Sequence, residues 1–206
     1  MSGKAAGKHN FVVYAIDNTE DSIFKEQCKK LLKREMAQHQ IYQLCTKTHR
    51  QEHALVVGSA DTTDNRLHVR NVFTVSKLSE PQDMKNALCQ LEFVEYQSTE
   101  VANLLTVAAD VAIHEQTKGQ RKIILASKKL KESPRIDAVI EKLDQVKIEL
   151  VIVSDFGDRL FHGFPVTSMD SFLKAPMKRK TANAMKQKYK LYLNNRDASS
   201  VFDVYG

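Results

Sequence analysis

The chain has 206 residues, 42% hydrophobic and 27% charged, with only 7 Gly and 4 Pro. That composition suits one globular core with an appendage and excludes a low-complexity chain. A net charge of +6 and a pI near 9.1 are compatible with a nucleic-acid neighbourhood, whereas no apolar run approaches the roughly 20 residues of a membrane span.

The first nine residues, Met1 to His9, are small and basic and lack the apolar centre of a secretory signal. Phe11 to Asp17 is an almost continuous apolar run ending at an acid, the pattern of a strand buried on both faces. The turn and cap residues Asn18 to Ser22 follow. The spacing of Ile23, Phe24, Cys28, Leu31, Leu32 and Met36 then predicts a helix over 21–38. Its other face, Lys25, Lys29, Lys30, Lys33 and Arg34, reads as solvated. Residues 40–51 are polar and carry no clear pattern. Ala54 to Gly58 is a second strand, and Ser59 to Asn65 is a loop of turn formers. Leu67 to Ser76 alternates, and the short loop before it requires an antiparallel pairing. Pro81 to Glu92 reads as a short helix and 93–98 as a loop.

Thr99 to Gln116 is the strongest helical pattern. Val101, Leu104, Leu105, Ala108, Val111 and Ala112 form its apolar face, with Thr99 as the expected cap. Arg121 to Ser127 is a third buried-type strand. Ser133-Pro134 opens a helix, and Lys147 to Phe156 holds a fourth buried strand. Beyond Phe156 the pattern weakens, with short helices expected over 168–174 and 181–194. Strands alternating with helices predict an α/β chain: a three-layer sandwich, its sheet mainly parallel with one antiparallel edge strand. Within 174–190, seven Lys or Arg stand without an acid. Cys28, Cys45 and Cys89 are widely spaced, which fits reduced thiols in a cytosolic or nuclear protein.

The sequence holds no P-loop, no GxGxxG after a strand and no GxSxG elbow. Its seven histidines are scattered. No enzyme activity and no cofactor are expected. The remaining chemistry is a divalent cation at the end of the first strand, where open α/β sheets bind ligands. The metal-ion-dependent adhesion site of von Willebrand A domains uses Asp-x-Ser-x-Ser there, with a Thr and an Asp from later loops. Here Asp17 is present, Thr19 offers a hydroxyl, and Asp21 replaces the second hydroxyl residue. Ser98 or Thr99 can supply the later hydroxyl. The third strand ends in Ser127-Lys128-Lys129, two cations in place of the final acid. A degenerate site without metal is expected, with capping as the role of Asp17 or Asp21.

The run Ala54-Leu55-Val56-Val57-Gly58-Ser59-Ala60-Asp61-Thr62-Thr63-Asp64-Asn65-Arg66-Leu67 resembles the N-terminal von Willebrand A domain of the larger subunit of Ku, the DNA-end-binding heterodimer. Three further stretches agree in order: Lys4-Ala5-Ala6 through Asp17, the helix through Val107 and Asp110 to His114-Glu115, and Ile148-Glu149-Leu150. Asp197 to Tyr205 resembles the acidic, aromatic end of that domain. The resemblance implies a von Willebrand A, Rossmann-like fold over 10–175. It also implies a flexible 1–9 and a basic 176–206 leading toward the β-barrel of the family, which lies outside this chain.

It further implies a nuclear, non-catalytic domain serving non-homologous end joining and telomere maintenance. The implied partners are the smaller Ku subunit and short peptides of repair or telomere factors. DNA ends would be met only through the full-length heterodimer, and no membrane partner is implied. Carried onto this sequence, the docking positions are Leu67, Glu100, Asn103, Thr106, Val107 and Asp110. A basic peptide would meet Glu100 and Asp110 and place its apolar anchor on Leu67, Val107 and the Thr106 methyl. The family has larger apolar residues where Thr106 and Ala109 stand, and each lost buried methylene costs about 0.8 kcal/mol. Lys178, Arg179 and Lys180 suit a nuclear import signal or a phosphate contact, with a solvated linker as the bland alternative. A scaffold domain of an unrelated intracellular complex is the rival reading.

Overall fold

A computed structural model describes residues 9–18, 21–45, 50–61, 70–78, 83, 86, 87, 89, 100–115, 117, 119–157 and 159–175. Seven strands form one sheet: β1 (His9–Asp17), β2 (Arg50–Asp61), β3 (Arg70–Lys77), β4 (Arg121–Ala126), β5 (Ile148–Ser154), β6 (Arg159–Phe161) and β7 (Phe164–Ser168). Among the described residues four helices accompany them: α1 (Ser22–Cys45), α2 (Val101–His114), α3 (Pro134–Gln145) and α4 (Met169–Lys174). Residues 83, 86, 87 and 89 are also helical, inside the expected 81–92 helix.

The strand order is β3-β2-β1-β4-β5-β7-β6. β1 lies at the centre, parallel to both β2 and β4, and β5 runs parallel to β4 and β7. Alternation along β1 supplies two cores at once. Phe11, Val13 and Ala15 face the apolar sides of α2 and α3, with Ile123, Leu125 and Ile152 beside them. Val12, Tyr14 and Ile16 face Phe24, Cys28, Leu31 and Leu32 of α1 and Met169 of α4. A sheet covered on both faces needs the near-continuous apolar strands that the sequence carries. The chain therefore has the expected three-layer α/β architecture, a mainly parallel sheet between helices.

Several expectations shift in detail. α1 runs on to Cys45 and β2 begins at Arg50, so most of the unpatterned 40–51 stretch is regular. No Gly or Pro interrupts that helix. β2 also continues through Ser59, Ala60 and Asp61, which pair with Val72, Asn71 and Arg70 of β3. Ladder pairing overrides the turn preference of those residues. β3 is the antiparallel edge strand expected. At the opposite edge β6 pairs antiparallel with β7, a hairpin the weakened sequence pattern after Phe156 concealed. Its turn residues His162 (φ 48°) and Gly163 (φ 80°) are both left-handed, as a type I′ turn requires.

The α1 cationic face is not wholly solvated. Arg34 lies over the Phe172 ring, 5.8 Å from its centroid, and its guanidinium donates to the Phe172 and Ala175 carbonyls. The expected 181–194 helix, the basic residues beyond 175 and the N-terminal segment 1–8 lie outside the described residues.

Candidate functional site

Two regions follow from the sequence, the ends of the central strands and the outer side of α2. At the first, β1, β4 and β5 are parallel neighbours, so their C-terminal ends open at one edge of the sheet. Asp17 ends β1 and is 1% exposed. The Ser127 hydroxyl, just past β4, donates to Asp17 Oδ2 at 2.9 Å. Asp21 caps α1 as expected, its Oδ1 accepting from the Phe24 N–H at 2.9 Å. Its other oxygen accepts from the Lys128 ammonium. Lys128 Nζ also lies 3.8 Å from Asp155 Oδ2, just past β5. Behind it, the buried Ser154 hydroxyl donates to the Lys128 carbonyl at 3.5 Å.

The electrostatics follow from this geometry. The hydrogen bond from Lys128 holds the Asp21 carboxyl below its ordinary value, and the same bond raises the Lys128 ammonium. Asp155 shifts up, because burial outweighs the attraction of Lys128 and Asp21 repels it. Asp155 and Ser154 did not enter the sequence reading. The signal was present in the way β5 ends, an apolar run followed by Ser-Asp, as β1 ends in an acid.

A divalent cation at this edge would need oxygen donors converging on one point. One observation favours an ion: Asn18 is 1% exposed, and neither its amide oxygen nor its amide nitrogen has a hydrogen-bond partner. The rest opposes it. The Lys128 ammonium already lies on Asp21 and beside Asp155. Among the described residues, no three His, Cys, Asp or Glu side chains cluster to hold a metal. Among the described residues the donor set therefore does not fit a resident divalent ion; Thr19, Ser98 and Thr99 lie outside them.

On α2, Glu100 takes the N-cap position with extended backbone and makes no side-chain cap bond, in place of the expected Thr99, which lies outside the described residues. Asn103 Nδ2 donates to Glu100 Oε2 at 3.2 Å, and the Thr106 hydroxyl donates back to the Ala102 carbonyl at 2.7 Å. Thr106 is exposed. Val107 is half-buried and packs its inner side against the core. Asp110 Oδ1 accepts from Lys142 of α3 at 3.0 Å. These five residues thus share one ridge. Ala109 departs from the expectation: it is 1% exposed and belongs to the core with Ala108 and Ala112. Ala109 packs inside the core that α2 forms with the sheet and α3, so it cannot line a docking face. Leu67 and the Lys178-Arg179-Lys180 run lie outside the described residues, so the structure does not place them beside the ridge.

No protein-family model and no curated protein matches the chain. Solved structures do match. The pilus adhesin SpaC of Lactobacillus rhamnosus GG superposes with a TM-score of 0.56 at 9% identity, over 91% of this chain and 31% of the adhesin. Proximal thread matrix protein 1 of the mussel byssus gives 0.49 at 12% identity, over 89% of this chain and 46% of its own. The VWA domain of SpRpn10 gives 0.47 at 9% identity, over 88% of this chain and 95% of its own. This chain thus spans less than a third of the adhesin, and at 9% identity that likeness is one of fold.

Proposed function

We propose that this chain is a non-catalytic protein-interaction domain of the von Willebrand A type, and specifically the N-terminal domain of a larger Ku subunit. The observation that carries the interaction reading is the α2 ridge. It presents two acids, Glu100 and Asp110, at either end of a small apolar step formed by Thr106 and Val107. That pattern suits a short basic peptide with one apolar anchor. The Asp110–Lys142 pair does not close the ridge. Its side chains are 48% and 53% exposed, and such pairs contribute about 0–1 kcal/mol, so a peptide cation can exchange with Lys142 at little cost.

The Ku assignment rests on the ordered resemblance around Ala54 to Leu67 and its companion stretches. On that reading the domain works in the nucleus. It supports end joining and telomere maintenance by pairing with the smaller Ku subunit and by docking peptides of repair or telomere factors. DNA ends are engaged through the full heterodimer, with Lys178, Arg179 and Lys180 serving import or a phosphate contact. The test is co-purification of the tagged chain with the smaller Ku subunit, together with direct titration of basic end-joining peptides. Recovery of that subunit, and peptide binding weakened at least about tenfold by Thr106→Arg or Asp110→Arg, is the expected result. Recovery of an unrelated complex, indifferent to both substitutions, favours a scaffold domain of that complex and removes the Ku assignment.

A further inference from the structure

The ends of β1, β4 and β5, with the first turn of α1, gather Asp17, Asp21 and Asp155 at one edge of the sheet. Like charges so placed disfavour one another unless a cation is seated among them. The Lys128 ammonium is bonded to Asp21 and lies 3.8 Å from Asp155. Its backbone is fixed on both sides. Ser127, 0% exposed, is bonded to Asp17, and Ser154, also 0% exposed, donates to the Lys128 carbonyl. The side chain therefore leaves a buried strand end in a set direction, with 29% of its surface exposed.

We propose that Lys128 is the resident cation of this strand-end site: a tethered ammonium that closes the site without a metal and keeps divalent ions out. The inference stands apart from the docking ridge on α2, and either can fail alone. A tethered charge is always present, is not removed by chelators and offers no open coordination position to a partner's carboxylate. A divalent ion brought to the same place meets a positive charge already bonded to its best ligand. Mg²⁺ is commonly held by one or two carboxylates plus water. Vacating the ammonium therefore leaves Asp21 and Asp155 as ligands for an added ion.

The experiment is thermal unfolding with MgCl₂ against NaCl at matched ionic strength. It compares the wild type, Lys128→Met and the double variant Asp21→Asn/Lys128→Met. The wild-type Tm is expected to shift by less than about 1 °C with Mg²⁺. Lys128→Met is expected to melt lower and to recover at least half of the loss in millimolar Mg²⁺. The double variant is expected to melt above Lys128→Met and to ignore Mg²⁺. Stabilisation of the wild type by Mg²⁺ overturns the proposal. So does a Lys128→Met protein that melts like the wild type or fails to respond to the ion. If Lys128→Met does not fold, the double variant decides: folding without a Mg²⁺ response supports the proposal, and failure to fold overturns it.

Discussion

Ser127 shows how much one hydroxyl can carry at a buried strand end. It donates to Asp17, which is 1% exposed, so Ser127→Ala leaves a buried carboxylate short of a donor. Losses of this kind cost about 1–3 kcal/mol, to be read from urea unfolding; a change under about 0.5 kcal/mol contradicts the assignment. The charges around Lys128 make a separate claim about pH. Asp21 is lowered from 3.8 by Lys128, so its contribution is present above that value and lost as pH falls through the depressed one. Lys128 is raised from 10.5, so its contribution is present below that value and lost as pH rises through the raised one. Asp155 has the opposite sense to Asp21: raised from 3.8, it favours folding on the acid side and loses that contribution as pH rises. Unfolding free energies measured across pH should therefore lose the alkaline slope in Lys128→Met and keep only the smaller acid-side slope that the Phe24 N–H gives Asp21. Asp155→Asn should be no less stable than the wild type at neutral pH. A stability loss in that variant contradicts the reading of Asp155 as a carboxylate held at a cost.

At the scale of elements, α2 separates a ridge from a core face by one residue. Ala109 is 1% exposed in the core, so Ala109→Leu overpacks it and should cost about 1–3 kcal/mol in chemical denaturation. Thr106, three residues earlier, is exposed, and Thr106→Arg should change stability by no more than about 0.5 kcal/mol. Equal losses in the two variants would mean that the ridge is not a free surface. The β5–β6 connection makes a similar point with a glycine. A Cβ on Gly157 would stand 2.7 Å from both Cβ and N of Ser168 at the end of β7. Gly157→Ala must shift the connection or the end of β7, and a loss of about 1–3 kcal/mol is expected in the same assay. The neighbouring hairpin is held from α3. The Ser133 N–H donates to His162 Nε2 at 3.3 Å, and His162 Nδ1 lies 2.5 Å from Asp137 Oδ1. Those contacts explain how a short edge strand with a left-handed histidine keeps its place despite an uninformative sequence.

For the molecule as a whole, the sequence by itself determined the layers. Residues 11–16, 54–57, 123–126 and 150–153 are too apolar to face water on either side, and the amphipathic helices between them have one face to bury. Burial therefore dictates a covered, mainly parallel sheet, and β1 belongs at its centre because both of its faces are apolar. Side-chain period and capping residues also marked the starts of α1, α3 and α4, since those signals are local in the chain. Tertiary structure decided what depends on neighbours distant in sequence. β3 extended β2 past its turn formers, and β7 recruited β6 to make an edge that no local pattern announced. Core packing withdrew Ala109 from the surface of α2. The pairing of Lys128 with Asp21 and Asp155 joins residues 107 and 27 positions apart, and only the parallel register of β1, β4 and β5 brings them together. Read along the chain, Lys128 was a cation near an incomplete acid motif. In the folded molecule it lies between two carboxylates, because strand order, which the sequence encodes only through the balance of all its contacts, sets which ends are neighbours.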